Sequence, residues 1–146
     1  MRSFLAVRLF STEAASQAKL AAFSARSGIQ LPIETLKAAL TYKKDLDPLR
    51  YQFIGQRCAE LYTSEYILFK YPKLPAEAVE SALRSYTGVT ALTDTASTFG
   101  LGNVMNWQPV ADEKGRTGER IATTKVLMGL IGAIYMEQVI FDRVSK

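Results

Sequence analysis

The sequence predicts an all-α domain, and three observations carry that reading. Three helix starts share one design: Leu31-Pro32-Ile33-Glu34, Asp47-Pro48-Leu49-Arg50 and Leu74-Pro75-Ala76-Glu77. Apolar residues recur at helical spacing through 48–71, and strand-like alternation is absent over any useful length. Proline fits the first helical position, where its missing N–H costs nothing, while Asp47 and the early glutamates attract the free amides.

The first thirty residues differ in composition from the rest. Arg2, Arg8, Lys19 and Arg26 face the single acid Glu13 in a segment rich in alanine and serine. Such acid-poor, amphipathic starts are what mitochondrial import signals look like, and Arg8-Leu9-Phe10-Ser11 resembles a matrix-protease processing site; the alternative is an ordinary N-terminal helix. Arginine repeatedly breaks the apolar stretch, which disfavours a secretory signal. The expected division is therefore a basic arm over 1–30, suited to a protein built into a larger assembly, and a domain over 31–146.

Within that domain the expected helices are 32–44, 48–71, 75–86, 89–99 and 117–144. In the second, Phe53, Ile54, Arg57, Leu61, Tyr62, Ile67 and Leu68 recur at helical spacing, with Glu60, Thr63 and Ser64 between them. Gly100 and Gly102 are placed to end the fourth. The irregular stretch 105–118, with Trp107, Pro109, Lys114, Gly115 and Arg116, is a loop that is either functional or merely mobile.

Composition narrows the chemistry. The 146 residues suffice for one sizeable core, and they contain no histidine, which excludes a Ser-His-Asp triad and any histidine-bound zinc. The single cysteine, Cys58, allows no internal disulfide and no Cys-x-x-Cys metal cluster; it reads as a small buried residue with no histidine to activate it. A mean hydropathy of +0.01 and an apolar run of only Val126 to Met136 argue against membrane insertion. The formal charge of +4 and pI near 9.2 permit an anionic partner such as RNA.

Phe99-Gly100-Leu101-Gly102 lacks the preceding strand and third glycine of a nucleotide-binding turn. Trp107 either stacks on a base or anchors the loop, with packing the default. Lys43 and Lys44 suit either a helix C-terminus or a phosphate, and Lys114, Arg116 and Arg120 lie on or beside the glycine-containing loop, where RNA contact is the sharper reading and plain solvation the other.

Several segments together resemble ribonuclease III domains. Leu49-Arg50-Tyr51-Gln52-Phe53-Ile54-Gly55-Gln56, followed by Glu65 to Pro75, is similar to the family's signature helix, where Leu-Glu-Phe-Leu-Gly-Asp precedes a tyrosine-bearing run and a Phe-Pro-x-Leu break. Leu130-Ile131-Gly132-Ala133-Ile134-Tyr135-Met136-Glu137-Gln138 is similar to its closing helix. The turn at Phe99 to Asn103, the connector at Lys114 to Arg120 and the opening at Leu36 to Tyr42 fall between and before them in the family's order. The resemblance implies an all-α ribonuclease III-like fold from about Pro32 to Asp142.

Active members hold Mg²⁺ over the scissile phosphate with four acids, two on each of these helices, because the hard dication favours carboxylate oxygens. At the matching positions this chain has Gln52, Gln56, Lys125 and Met128. The resemblance therefore implies no catalytic residues, metal or cofactor, with Glu60, Glu65 and Glu137 left as surface acids. Phe53, Ile54 and Gly55 stand where signature helices of two domains pack together. With the sequence running to Lys146, the expectation is a domain without the family's C-terminal double-stranded-RNA-binding domain. These features resemble the ribonuclease III-fold proteins of the mitochondrial large ribosomal subunit, particularly the fungal type that pairs with a larger subunit of the same fold. The expectation is a non-catalytic component of the mitochondrial matrix, with rRNA, a second ribonuclease III-fold protein and other large-subunit proteins as partners. The alternative is a divergent double-stranded-RNA endonuclease or RNA-processing factor of mitochondria.

Overall fold

Two long helices set the architecture: α3 (Leu46–Lys70) and α6 (Thr117–Tyr135), which pack against each other more extensively than any other pair. Their close approach is a property of two glycines, and a third brings α6 against α2 (Ile33–Ala39). A Cβ on Gly55 would overlap the Met128 carbonyl oxygen, and one on Gly132 would overlap the Tyr51 carbonyl oxygen. One turn back, Gly129 faces the Ala39 carbonyl at the end of α2, 2.8 Å from where its Cβ would stand. Backbone therefore meets backbone along the crossing, and no other residue type fits there.

The computed structural model describes residues 2–42, 46–108 and 117–145, with side chains for 12–42, 47–108 and 118–145. Around the central pair lie α1 (Arg2–Ser27), α2 (Ile33–Ala39), α4 (Ala76–Tyr86) and α5 (Val89–Thr98), then a 3₁₀ turn at Leu101–Asn103. Among the described residues there is no strand, and the fold is all-α as expected. Phe23, Leu36, Leu40, Leu101 and Val126 are fully buried and share one cluster with Leu20, Ala96, Leu127, Met128 and Leu130.

The proline starts are real but shifted. Pro32 and Pro75 stand one position before the first helical residue, and their carbonyls accept the first helical bonds, from Leu36 N at 2.9 Å and Val79 N at 3.0 Å. Pro48 is the third residue of α3, still within the turn whose amides have no helical acceptor. Gly100 takes the left-handed conformation, φ 70°, and ends α5, whereas Gly102 belongs to the 3₁₀ turn that follows.

The helix expected over 32–44 stops at Ala39. Beyond it, Tyr42 N donates to Asn106 O at 3.0 Å and Asn106 N donates to Leu40 O at 2.8 Å, so the segment after the 3₁₀ turn takes the backbone groups that a longer helix would use.

The core also crosses the expected boundary at residue 30. Leu20 and Phe23 of α1 are 4% and 1% exposed, and the Arg26 guanidinium lies over Gly100. The last third of α1 is thus built into the domain, while residues 12–19 are exposed.

The closing helix runs on from α6 through one π turn, Met136–Ile140, into α7 (Phe141–Val144). Thr35 Oγ1 donates to Glu137 Oε1 at 3.2 Å, tying the π turn to α2. By length and composition the run Gly118–Val144 would suffice to cross a membrane, although the apolar stretch alone is too short. In this fold Ala122, Val126, Leu127, Leu130 and Ala133 of that run are buried against the other helices.

Candidate functional site

The signature-helix and closing-helix positions meet at the α3–α6 junction. Gln56 of α3 and Lys125 and Met128 of α6 line one cavity of about 250 Å³, together with Glu60, Thr124, Thr87 at the end of α4, Val89 and Leu92 of α5, and the apolar side chains of Ala59 and Ile121. Gln52, one turn earlier on α3, is 8% exposed and lies against α6 beside Gly129, outside that cavity. Gln56 and Lys125 are exposed and Met128 is buried. Lys125 and Met128, three apart on α6, share a face, and Gln56 meets them from α3; Gln52, one turn earlier, is carried past the cavity to the crossing at Gly129.

Among the described residues one carboxylate lines this space, and it is engaged. Arg57 Nη1 donates to Glu60 Oε2 at 3.0 Å, and Gln56 Nε2 donates to Glu60 Oε1 at 3.1 Å. Lys125 forms no ion pair among the described residues. Thr124 Oγ1 is buried with no hydrogen-bond partner among the described residues, whereas its neighbour Thr123 donates to the Glu119 carbonyl at 2.8 Å. Among the described residues no three His, Cys, Asp or Glu side chains cluster to hold a metal ion. An ammonium, an amide, a thioether and one neutralised carboxylate fit a hard dication poorly, since Lys125 repels it and sulfur is a weak ligand for it.

The sequence reading missed Glu60, Thr124 and the α5 start as members of this site. Glu60 sits four residues after Gln56, a helical spacing that gave a usable signal; the α5 start depends on packing alone. Glu65 lies elsewhere, in a cleft with Tyr62, Tyr66 and Phe69.

Of the expected pairing residues, Phe53 is 66% exposed, with the Arg57 guanidinium 5.6 Å over its ring. Ile54 is half-buried against Gly132, and Gly55 is buried in the α3–α6 crossing, so its role is within the chain. Leu49, Leu61 and Leu68 are also exposed on α3. Arg120 is exposed and donates to Thr90 Oγ1 at 3.1 Å. Lys43, Lys44, Lys114 and Arg116 lie outside the described residues. Trp107 is half-buried beside the start of α6, its Cζ2 3.8 Å from where a Cβ on Gly118 would stand, which is the loop-anchor arrangement.

Cys58 is buried on α3, and burial pushes its thiol up from the ordinary range, away from the reactive thiolate. At the far end of α3, Lys70 donates to Tyr66 Oη at 2.7 Å and lies over the Tyr66 and Tyr71 rings; the Tyr66 bond, then the charges of both tyrosines, push its pKa up.

The fold matches solved structures. Two structures of the nuclease domain of ribonuclease III from Campylobacter jejuni superpose with TM-scores of 0.69 and 0.67, each at 21% identity and 84% coverage of this chain, and cover 89% and 86% of their own chains. In sequence, 95 residues are 33% identical to large ribosomal subunit protein mL44 of Neurospora crassa, which covers 60% of this chain and spans 22% of that relative's length. The sequence model of the Ribonuclease-III-like family matches residues 36–142, from the middle of α2 through the π turn into α7. On this match over most of its length, the chain belongs to the Ribonuclease-III-like family.

Proposed function

We propose that this chain is a non-catalytic structural component of the mitochondrial large ribosomal subunit, using its ribonuclease III-like fold to face rRNA and to pair with a second subunit of the same fold. The observation that carries the reading is the cavity where Gln56, Lys125 and Met128 replace the acids that a metal-dependent nuclease needs, with Glu60 already held by Arg57. The likeness to a large ribosomal subunit protein, the formal charge of +4 and the acid-poor start support the ribosomal and mitochondrial parts. The exposed Phe53 on α3 supports the pairing.

The test is sedimentation together with an activity assay. Epitope-tagged chain expressed in its own cells is expected in the large-subunit fraction of a gradient of lysed mitochondria; recovery only at the top of the gradient overturns the reading. Purified chain incubated with Mg²⁺ and duplex RNA is expected to leave it intact. Glu60 in the cavity wall gives the nuclease alternative its one foothold, and Mg²⁺-dependent cleavage abolished by Glu60→Gln would establish that alternative instead.

A further inference from the structure

We infer that the groove between α1 and the corner made by α2 and the 3₁₀ turn holds the ribose-phosphate backbone of one RNA strand. The inference rests on the rRNA-facing reading above and names the surface that would do it. The groove has a volume of about 470 Å³. Lys19 and Ser16 line it from α1, Lys37 lines it from α2, and Asn103 and Asn106 line it from the 3₁₀ turn and the segment that follows. Its floor is apolar, set by the buried Leu20 and Leu40. Among the described residues no carboxylate lines it. The bonds that Asn106 N and O make with Leu40 and Tyr42 fix this segment against the end of α2, so the polar groups on the two sides face each other from a firm frame.

The donors of this groove are open to a ligand. Lys19 forms no ion pair among the described residues, and Lys37 has only Glu13, at 4.0 Å with both side chains more than half exposed, a contact of little energy. The Ser16 hydroxyl and the side-chain amides of Asn103 and Asn106 form no hydrogen bond among the described residues. Arg26, two turns after Lys19, falls on the same side of α1 and adds a third cation at the end of the groove. Its guanidinium stands 3.0 Å, and the Asn103 amide nitrogen 3.9 Å, from the point that a Cβ on Gly100 would occupy, so glycine at that turn is what lets the two donors approach. The groove shares no lining residue with the cavity at the α3–α6 junction. Moreover α1 precedes the residues 36–142 that match the family, so the wall carrying Lys19 and Arg26 is an addition to the family's domain. Three cations against one marginal acid favour a polyanion. Two amides that both donate and accept suit the 2′-hydroxyls of RNA, and an apolar floor suits the carbon face of a ribose or base, which together favour RNA over an acidic polypeptide.

The test is binding of a short fluorescent single-stranded RNA to the full-length chain, followed by anisotropy over a series of salt concentrations, with poly-glutamate as the acidic-polypeptide probe. Binding is expected to weaken by about tenfold or more when Lys19→Met and Lys37→Met are combined, and to recover when both are arginine instead. Each lysine removed is expected to flatten the slope of log affinity against log salt by about 0.7 to 1. Glu13→Gln is expected to tighten binding, and Lys73→Met, beyond the far end of α3, to leave it unchanged. Acetylation of the wild-type chain gives a readout that depends on no variant: bound RNA is expected to slow modification of Lys19 and Lys37 and not of Lys73. Failure of the wild-type chain to bind RNA, or wild-type affinity and salt slope in the double methionine variant, overturns the inference, as does equal modification of Lys19 with and without RNA. Binding of poly-glutamate through these lysines without binding of RNA overturns it in favour of an acidic protein partner. Each of these results leaves co-sedimentation with the large subunit standing. A chain that holds RNA through Lys19 and Lys37 yet stays at the top of the mitochondrial gradient would instead overturn the ribosomal reading and keep the groove.

Discussion

At the scale of single residues, the α3–α6 crossing has the least tolerance for change. A methyl on Gly55 meets the Met128 carbonyl, and one on Gly132 meets the Tyr51 carbonyl; both are backbone atoms of a packed helix that cannot swing aside. Gly55→Ala is therefore expected to lower unfolding free energy by about 3 kcal/mol or more, at the upper end of overpacking costs. Gly102→Ala, where a Cβ meets nothing within 4 Å, is expected to change it by about 0.5 kcal/mol or less. Urea unfolding of both variants checks the pair, and equal midpoints would show that the helices separate freely. The sequence made Gly55 conspicuous but could not say which way it faced. Its neighbours Phe53 and Ile54 are apolar on both sides, so only the position of α6 distinguishes a glycine at a partner surface from one inside the chain. Helical spacing was enough to group Gln56, Lys125 and Met128, which line one cavity, but it grouped Gln52 with them, and Gln52 lies outside it against Gly129. Thr124 was not legible, because its lost bond to the preceding turn leaves no mark in the sequence.

At the scale of elements, local chemistry made most helices readable and distant contacts moved the rest. The prolines mark α2, α3 and α4 to within two residues, and glycine at φ 70° ends α5, because these effects act within one turn of chain. The end of α2 was unreadable because Asn106, far along the chain, takes its backbone groups. The role of α1 was obscured differently. Its composition signals an arm, yet Leu20 and Phe23, three apart on one face, lock its last third into the core. Phe23→Ala is thus expected to destabilise the whole domain by about 3–5 kcal/mol, as for other buried phenylalanines. Thermal and urea unfolding should show this as one cooperative loss. A variant that unfolds with the wild-type midpoint would mean that α1 is a detachable arm, as composition alone suggests.

At the scale of the whole molecule, the fold leaves one long helix with apolar groups on both sides. The inward side of α3 closes the core against α6, while Leu49, Phe53, Leu61 and Leu68 remain exposed, far more apolar surface on one element than scattered surface residues account for. The two sides are energetically separate. Phe53, 66% exposed and touched by Arg57, contributes little to folding, so Phe53→Asp is expected to change unfolding free energy by about 0.5 kcal/mol or less. If α3 pairs with a second ribonuclease III-fold chain, the same change buries a carboxylate at the centre of that contact and is expected to weaken association by about 2 kcal/mol or more, a loss of roughly thirtyfold. A photo-crosslinking residue at position 53, activated in assembled particles, identifies what lies there. A crosslink to a chain of the same fold, lost with the particle in Phe53→Asp, supports pairing through α3; a crosslink to RNA, or a Phe53→Asp chain that assembles as well as the wild type, removes Phe53 from the contact. The hold of α6 on α3 is itself made of glycine approaches and buried apolar contacts, Met128 among them, on the inward side of α3, so a change at Phe53 leaves it in place.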